Sequence, residues 1–577
     1  YNSTSNGNSR QGSAYQYRAL EPLGPEPENY SGFGNGLSYV STAYDPVELT
    51  YNSEPASASH NFRAIGAINW RPVEGLTLRT ELGLGKGFSR SESYNKGYGN
   101  ETRSASLSRG ESSRLNWTTT AQYQIPFSNQ IHRADIMVGN EIRTTNSSSM
   151  YFYGYEYPDN FDRERTFAFL NQYTKDFSFS TSYATPGRVV SFFTRANYSL
   201  MDKYLFTVTF RADGSANFAP NNRWGYFPSA AFAWRVIDEP WMQDSKSWLS
   251  NLKLRLSYGV TGSDAIGPNL WRETWALGTS ASNYTISDSR SDTNNGYGYS
   301  YAPNSMMQNA DLKWESTITR NLGLDFGFWD DRLYGTIEGY WSTTYDLLMP
   351  VNVNAASGYS YQYQNMGTVA NRGLEVSIGG DIVRNKDFTL SANLIYNYNV
   401  NKIEKLSDAV AVNTYGQWAN SEHMPTAGEF TLREGLAIGT ITGYKYEGWY
   451  TTNDFTYENG VYTLKPGIAD WAADSYFTSL QRATGQSAFP GAAKVADLYP
   501  ADKPDGIINE SDVYVIGEMT PRSTGSFNLS GRWKNLDFGL NFNYAIGGHL
   551  INYWGLYSLY GAKDNYFGVN RLAYAKD

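Results

Sequence analysis

Residues 373–398 read Gly373-Leu-Glu-Val-Ser-Ile-Gly-Gly-Asp-Ile-Val383, then Arg384-Asn-Lys-Asp387, then Phe388-Thr-Leu-Ser-Ala-Asn-Leu-Ile-Tyr-Asn-Tyr398. The outer two runs are typical of antiparallel strands, and the middle run is typical of a short turn. In the last run apolar or aromatic residues alternate with polar ones, and Ile395 is the exception. Because side chains alternate across a strand, this segment has one apolar face and one polar face. Its length suffices to cross a bilayer as a tilted strand.

The same pattern of two strand-like runs around a short turn recurs along the chain. Turns are predicted at 71–75, 201–203, 330–331, 384–387 and 534–535, and another hairpin covers 115–142. Long polar segments separate the hairpins, at about 1–61, 89–113, 145–190, 262–319, 346–370 and 402–522. Tight periplasmic turns alternating with large extracellular loops are the connectivity of an outer-membrane barrel. The sequence therefore predicts an all-β fold, an antiparallel transmembrane β-barrel with long extracellular loops, of which 402–522 is the largest region.

The alternation also predicts which side chains face lipid. Leu390 and Leu394 are expected to point to lipid, while Ser391 and Asn393 are expected to point into the lumen. Composition is consistent with this assignment, because 47 Tyr, 28 Phe and 16 Trp suit the aromatic girdles of a barrel. The mean hydropathy of -0.52 is uninformative, since only alternate residues of each strand would face lipid.

Other features exclude several classes of protein. The chain has no run of 18 apolar residues, which argues against a transmembrane helix. It has no Cys, which excludes a disulfide framework and thiolate metal sites. A net charge of -9 argues against nucleic acid as a partner.

A soluble all-β protein is the alternative, such as a surface-exposed β-sandwich or propeller that binds glycans or acts in adhesion. Short strands with turn signals would suit it as well. Loops of this length are uncommon inside compact domains, and a propeller should repeat at a fixed period, which the sequence does not do. The barrel is therefore favoured.

Several motifs, which follow one another along the chain, resemble a single family. They are Arg211-Ala-Asp-Gly-Ser-Ala-Asn-Phe218, Arg223-Trp-Gly-Tyr-Phe-Pro-Ser229, Ala233-Trp-Arg235, Leu252-Lys-Leu-Arg-Leu-Ser-Tyr-Gly-Val-Thr-Gly262, Leu312-Lys-Trp-Glu315 and Asn365-Met-Gly-Thr-Val-Ala-Asn-Arg-Gly-Leu-Glu375. Pro490-Gly491, residues 505–512 and Ile516-Gly517 complete the series. Together they resemble the SusC/RagA family of TonB-dependent outer-membrane transporters of Bacteroidetes, from about 185 to 550 and more weakly from Asp45-Pro46.

The resemblance implies a 22-stranded barrel closed by an N-terminal plug, with a SusD-like surface lipoprotein as its lid. It implies TonB-powered import of oligosaccharides or peptides across the outer membrane. The signal peptide, N-terminal domain, TonB box, plug and first and last strands have no counterpart in residues 1–577. We therefore expect the chain to be a partial barrel domain of a longer protein, in contact with outer-membrane lipid.

No motif predicts catalysis. The four histidines, His60, His132, His423 and His549, show no paired metal-ligand spacing, and there is no G-x-S-x-G elbow. The sequence therefore predicts a transport protein and not an enzyme, without an organic cofactor.

Residues 505–512 match the second half of a calcium loop, with Gly506 at the turn and a carboxylate six residues later. The first two ligand positions hold Ala501 and Lys503, although nearby carboxylates could substitute for them. A structural Ca2+ site is one interpretation, and a solvated carboxylate cluster is the other. The candidate ligands are Asp497, Asp502, Asp505, Asn509 and Asp512.

Two groups of tyrosines are candidate ligand contacts. They are Tyr297, Tyr299 and Tyr301, and Tyr359, Tyr361 and Tyr363. Flat aromatic faces could stack on sugars or pack against a lid. A spacing of two is equally typical of a strand that continues above the membrane, and this structural interpretation is preferred.

Overall fold

The computed structural model describes residues 53–97, 103–129, 131–174, 177–278, 300–303, 306–406, 413–415, 430–458, 460–471, 488–501 and 504–551. Within these ranges antiparallel β-sheet dominates, and α1 (Arg163–Ala168) is a helix of six residues. No helix in the described ranges is long and apolar enough to cross a membrane. The chain divides into two compact units, one of Tyr1–Gln122, Val138–Phe192 and Ile551–Asp577, the other of Tyr123–Met137 and Phe193–Leu550.

The strands follow one another along the chain with few interruptions. The first nine are β1 (Ser53–Trp70), β2 (Leu76–Asn95), β3 (Ser104–Ile125), β4 (His132–Tyr155), β5 (Phe177–Tyr183), β6 (Gly187–Leu200), β7 (Tyr204–Ser215), β8 (Trp224–Arg235) and β9 (Leu249–Ser263). The next nine are β10 (Trp275–Gly278), β11 (Ser300–Pro303), β12 (Met306–Met307), β13 (Glu315–Phe328), β14 (Leu333–Tyr345), β15 (Leu348–Asn352), β16 (Tyr361–Asn365), β17 (Thr368–Arg384) and β18 (Phe388–Lys405).

Short strands then precede a last long hairpin. They are β19 (Asn413–Tyr415), β20 (Phe430–Leu432), β21 (Thr440–Gly443), β22 (Tyr446–Trp449), β23 (Phe455–Glu458), β24 (Val461–Leu464), β25 (Asp470–Trp471), β26 (Ala493–Val495), β27 (Ile507–Ile508), β28 (Tyr514–Glu518), β29 (Ser523–Trp533) and β30 (Leu536–Ile546). Short 3-10 helices occupy Pro220–Asn222, Val236–Asp238, Pro240–Ser247, Ala355–Ser357, Thr452–Asp454 and Glu510–Asp512.

Fifteen of the described strands form one large sheet. Its order is β1-β2-β3-β4-β6-β7-β8-β9-β13-β14-β17-β18-β29-β30, and β5 pairs with β4 beside this path. The long strands therefore lie side by side in the same order in which they follow one another along the chain. This meander is expected of an up-and-down barrel. Among the described residues the order is open at both terminal strands, so the barrel is partial.

The last three strands of the sheet have one apolar and one polar face. On the apolar face lies an exposed cross-strand row of Leu394, Phe527 and Phe542, whose exposed fractions are 40%, 38% and 58%. The polar face carries the adjacent row of Asn393, Asn528 and Asn541. Exposed apolar side chains on a paired sheet fit lipid as their solvent. The predicted alternation is confirmed for this part of the sheet.

The five predicted short connections are all turns. Residues 71–75, 201–203 and 330–331 and the segments after β17 and β29 reverse the chain between paired strands. Several turn residues adopt positive φ, among them Asp202, Asp330 and Lys534. The Asn385 side chain accepts hydrogen bonds from the Asp387 and Phe388 backbone N–H groups, which closes the turn between β17 and β18.

Several predicted loops are wrong in extent. Strand β1 already begins at Ser53, β13 begins at Glu315, and segment 346–370 contains β15, β16 and the start of β17. Segment 89–113 was expected to be loop, but β2 continues to Asn95 and β3 begins at Ser104. Segment 145–190 likewise contains the end of β4, the helix α1 and all of β5. Polar runs such as Thr144-Thr-Asn-Ser-Ser-Ser149 interrupt the alternation of apolar and polar residues there, while backbone pairing continues. The hairpin of β8 and β9, joined by two 3-10 helices, was not predicted as such.

The alternation of turns and loops predicts that the turn after β17 lies on the periplasmic side. Cysteine at Asn385, or at its exposed neighbour Lys386, should therefore not react with a membrane-impermeant maleimide on intact cells. Cysteine at exposed Ser357, in the long connection before β17, should react. This chain has no cysteine of its own to give background. Labelling of the turn on intact cells, with intact outer membranes verified, would reverse the predicted topology.

Candidate functional site at the rim of the sheet

Residues from four of the sequence motifs meet near the ends of β7, β8, β9 and β13, in a buried group that we call the rim cluster. Its members are Phe218, Phe227, Leu312 and Trp314, which are 0%, 7%, 0% and 8% exposed. The rings of Phe218 and Phe227 each lie with their centroid 5.4 Å from that of Trp314. The Trp314 indole N–H donates to the Arg223 carbonyl at 2.9 Å. The connections between β7 and β8, between β9 and β13 and between β14 and β17 thus share one core.

Two motif glycines are required by the Phe227 ring. A Cβ added to Gly225 would lie 2.4 Å from Phe227 Cζ, and one added to Gly262 would lie 2.1 Å from the same atom. Neither distance is sterically allowed, so the Phe227 ring fits only because both positions are glycine. This explains the glycines of two motifs by packing alone.

Polar side chains fasten the loops to the rim cluster. The Asn365 side-chain N–H group donates to the carbonyls of Lys313 at 2.7 Å and Asp346 at 2.9 Å, and its oxygen accepts the Lys313 backbone N–H at 2.9 Å. The Ser215 hydroxyl donates to the Asp264 carboxylate at 2.6 Å. Hydrogen bonds of this kind satisfy loop backbone that would otherwise be buried unpaired. The motifs therefore fix the starting points of the large loops.

The tyrosines proposed as ligand contacts have different surroundings. Tyr361 and Tyr363 lie in β16, with ring centroids 6.1 Å apart, and Tyr363 packs against the rim cluster. This agrees with the structural interpretation, a strand above the sheet. Tyr359 precedes β16 and is partly buried. Tyr297 and Tyr299 lie outside the described residues, and Tyr301 is described only as part of β11. A role of these rings in ligand binding stays a prediction.

Between β18 and β29 the described residues from 430 to 519 form a folded insertion, which we call the inserted subdomain. It has one small core around Tyr450, Phe455 and Ala488, and a second around Trp471, Val495 and Ile508. Burial raises the pKa of the Tyr450 phenol to about 12, and its hydroxyl donates to the Ala469 carbonyl at 2.6 Å. The predicted loop region 402–522 thus contains ordered structure with its own cores.

Two carboxyl groups of the inserted subdomain, Asp454 and Asp470, have pKa values shifted in opposite directions. Hydrogen bonds from the Thr451 backbone N–H and hydroxyl, with Lys494 nearby, lower the pKa of the Asp454 carboxyl. Burial raises the pKa of the Asp470 carboxyl, which accepts the Trp471 backbone N–H at 2.8 Å. Asp454 therefore supports a local turn, while Asp470 is a carboxylate held partly away from water.

In the proposed calcium loop, Asp512 is satisfied by the backbone. It is 1% exposed. Its carboxylate oxygens accept N–H groups from Leu498 at 2.8 Å, Tyr499 at 3.0 Å and Asn509 at 2.8 Å. These hydrogen bonds hold the loop closed. They also occupy the oxygens that would have to face Ca2+.

The remaining candidates are less constrained. Asp497 accepts the Gly506 N–H at 2.6 Å through one oxygen, while the other oxygen is buried without a hydrogen-bond partner. Asp505 and Asn509 accept backbone N–H groups two residues ahead of them. Asp502 lies outside the described residues. Within the described ranges no three His, Cys, Asp or Glu side chains are grouped to hold a metal. Ca2+ stays a prediction, and the unpaired oxygen of Asp497 is the atom that fits it.

The polar face of the sheet also carries an ion-pair network that the sequence did not predict. The Arg255 guanidinium donates to Asp325 at 3.0 Å and to Glu338 at 3.1 Å, and the Asn321 amide donates to Glu338 at 3.0 Å. Gly323 leaves room for it, since an added Cβ would lie 2.9 Å from the Arg255 guanidinium carbon. The network presents fixed charges and amides on the face opposite the apolar side chains.

Comparison with known proteins agrees with this geometry. The profile of the family described as "TonB dependent receptor-like, beta-barrel" matches residues 1–481. TonB-dependent receptor P3 of Formosa agariphila is 35% identical over 373 residues, which are 65% of this chain and 33% of that protein. TonB-dependent receptor SusC of Bacteroides thetaiotaomicron is 40% identical over 231 residues, which are 39% of this chain and 22% of that protein.

The fold resembles a solved transporter. The structure of the RagAB peptide transporter matches with a TM-score of 0.66 at 22% identity, covering 87% of this chain and 49% of the matched chain. The chain thus spans about half the length of that structure, and a third or less of the two relatives above. From its matched profile and its continuous meandering sheet, the chain belongs to the TonB-dependent receptors, as part of their outer-membrane β-barrel.

Proposed function

We propose that this chain forms the wall and extracellular rim of a SusC-like importer that takes up oligosaccharides or peptides. Import would be powered by TonB and shared with a SusD-like surface lipoprotein. The observation that carries the proposal is the rim cluster, which fixes the β7–β8, β9–β13 and β14–β17 connections at one end of the sheet. Connections fixed in this way offer a surface on which a lid protein can rest.

RagAB, a solved structure with a similar fold, is described as a peptide importer. The oligosaccharide class is what the resemblance of the sequence motifs to the SusC/RagA family implies. The polar face of the sheet, with Arg255, Asp325 and Glu338, suits solutes rich in hydroxyl or amide groups.

The β-sandwich alternative is wrong. Its strands would form two sheets packed face to face around a shared apolar core. Here the long strands lie in one sheet whose apolar side chains are exposed, and the family match is to a barrel. A binding or adhesion role based on a sandwich therefore has no support in the fold.

Purification of the full-length receptor from its native membrane in mild detergent tests the proposal. We expect a surface lipoprotein to co-elute in a stoichiometric complex that buries at least about 1,000 Å² of surface. Cells lacking the receptor should lose growth on either an oligosaccharide or a peptide mixture, which identifies the substrate class. A receptor that elutes alone even after cross-linking would favour a simple porin or receptor instead.

A further inference from the structure

A row of four exposed side chains crosses the apolar face of the sheet. Arg320 in β13 lies between Tyr258 in β9 and Trp341 in β14. Trp341 in turn lies opposite Arg372 in β17. We call these four residues the outer row. Side chains alternate along each strand, so the register places the outer row on the same face as Leu394, the face in contact with lipid.

The outer row stands at the boundary of the apolar band. Between the turn at Trp329 and Arg320, the side chains of β13 on this face are Phe328, Phe326, Leu324 and Leu322. Trp329 and Arg320 are nine residues apart. For a strand tilted by about 35–45° this separation spans about 21–24 Å along the membrane normal, and the apolar band of a barrel is about 25 Å tall. The outer row therefore reaches the headgroup layer, on the side where the long connections leave the sheet.

A groove of about 550 Å³ lies in the apolar face beside the outer row. It extends over β7, β8, β9, β13 and β14, and its apolar lining includes Val208, Ala230, Phe232, Leu256 and Leu322. Arg320 and Trp341 line it as well, and the register places them at its end nearest the headgroups. A hydrocarbon chain fills such a groove through many small dispersion contacts.

The charges at this end suit a phosphate group. The Arg320 guanidinium carbon lies 5.9 Å from the centroid of the Tyr258 ring, which orients it. Arg372 donates to Glu404 at 3.2 Å, and Lys402 adds a cation one row farther out on the same face. The three cations outnumber the one carboxylate. Arg320 and Arg372 are two strands apart, about 10 Å, so both extended side chains can reach one phosphate through paired hydrogen bonds.

The depth of the groove selects lipid over polypeptide as its occupant. A segment of this chain or of another protein lying across it would hold unpaired backbone N–H and C=O groups in hydrocarbon, and lipid-exposed irregular loops do not occur at that depth. Strands β8, β9, β13 and β14 are each paired on both sides, so no strand can add between them. A free phosphate ion would leave the groove unfilled.

We propose that the outer row and its groove bind a phosphorylated lipid of the outer leaflet, with the phosphate on Arg320 and Arg372 and one acyl chain in the groove. Lipid A, the phosphorylated glycolipid that anchors lipopolysaccharide in Gram-negative outer membranes, has this chemistry. The inference rests on the chain being part of an outer-membrane barrel, and it is independent of the imported substrate and of the lipoprotein.

Photo-cross-linking on intact cells identifies the occupant. A photo-cross-linking phenylalanine analogue at Trp341 of the full-length receptor should cross-link to lipopolysaccharide, seen as a series of slower bands that an anti-lipid A antibody recognises. The matched control is the same analogue at Tyr340, the neighbouring aromatic residue, whose hydroxyl donates to Asn399 at 3.0 Å on the polar face. It should give no such bands. Cross-links from Trp341 to another part of the receptor, to another protein or to nothing would overturn the inference.

Binding of lipid A to the receptor purified in detergent gives a second readout, by native mass spectrometry. Arg320→Gln and Arg372→Gln are each expected to weaken binding about ten-fold, since each removes charge-assisted hydrogen bonds to the phosphate. Arg384→Gln, at the opposite end of β17, should bind like the parent. Heat-modifiable migration on gels verifies each barrel.

Dephosphorylated lipid A keeps the test decisive if a variant fails to fold, because it is added to the parent receptor. It should bind about ten-fold more weakly than lipid A. Equal binding of the two lipids, unchanged binding by both folded glutamine variants, or equally tight binding of inorganic phosphate alone would contradict the proposed site.

Discussion

Replacement of Leu394 by arginine is expected to lower the free energy of unfolding by about 2–4 kcal/mol. Leu394 lies in the exposed apolar row beside Phe527, so the guanidinium would stand in hydrocarbon near the middle of the bilayer. The measurement is urea unfolding of the full-length receptor refolded into lipid vesicles, followed by tryptophan fluorescence.

The matched control is Asn393→Arg, one residue earlier in the same strand. Asn393 is on the polar face opposite Asn528, so the new charge can remain hydrated there. Its cost should be much smaller. A larger loss for Asn393→Arg than for Leu394→Arg would mean that the strand faces are inverted, because a shift of one residue exchanges every side chain between faces. Equal losses would mean that the two faces do not differ in their contact with lipid.

Replacement of Phe218 by alanine is expected to cost about 3–5 kcal/mol of local stability at the rim. Phe218 is 0% exposed and packs on Trp314, so truncation leaves a cavity where three loops meet. Faster cleavage of the extracellular loops by trypsin on intact cells would report the opening, and thermal unfolding would report the overall loss.

Phe169→Ala is the control for the same chemical change. Phe169 is 53% exposed in the segment after α1, and its removal should alter stability by no more than about 0.5 kcal/mol. If both variants were cleaved at the parental rate, the rim cluster would not be what holds the loops.

The fold was predictable wherever local chemistry specifies it. The turn at Lys534, the turn held by Asn385 and the two faces of β18 follow from neighbouring residues, and the structure agrees. The start of β3 and the end of β4 were not predictable from alternation, because polar runs such as residues 144–149 interrupt it, although Ala105 and Leu107 are buried. Their strand structure depends on pairing with neighbours, which a hydropathy pattern does not record.

The site was less predictable than the fold. The motifs suggested a family, but the packing of Phe227 between Gly225 and Gly262 depends on the register of two strands. The Arg255 network likewise joins residues 70 positions apart, Arg255 and Asp325. Such contacts follow from pairing across the sheet, which a single sequence leaves undetermined.

The inserted subdomain leaves and re-enters the wall at adjacent strands. The Asn399 N–H donates to the Arg522 carbonyl at 2.9 Å, and Tyr398 lies opposite Ser523. A connection whose ends are fixed side by side can grow cheaply, since each doubling of its length costs only about 0.6 kcal/mol of closure entropy. Lineages can therefore exchange or enlarge this module over evolutionary time while the hydrogen-bond register of the membrane wall is inherited unchanged.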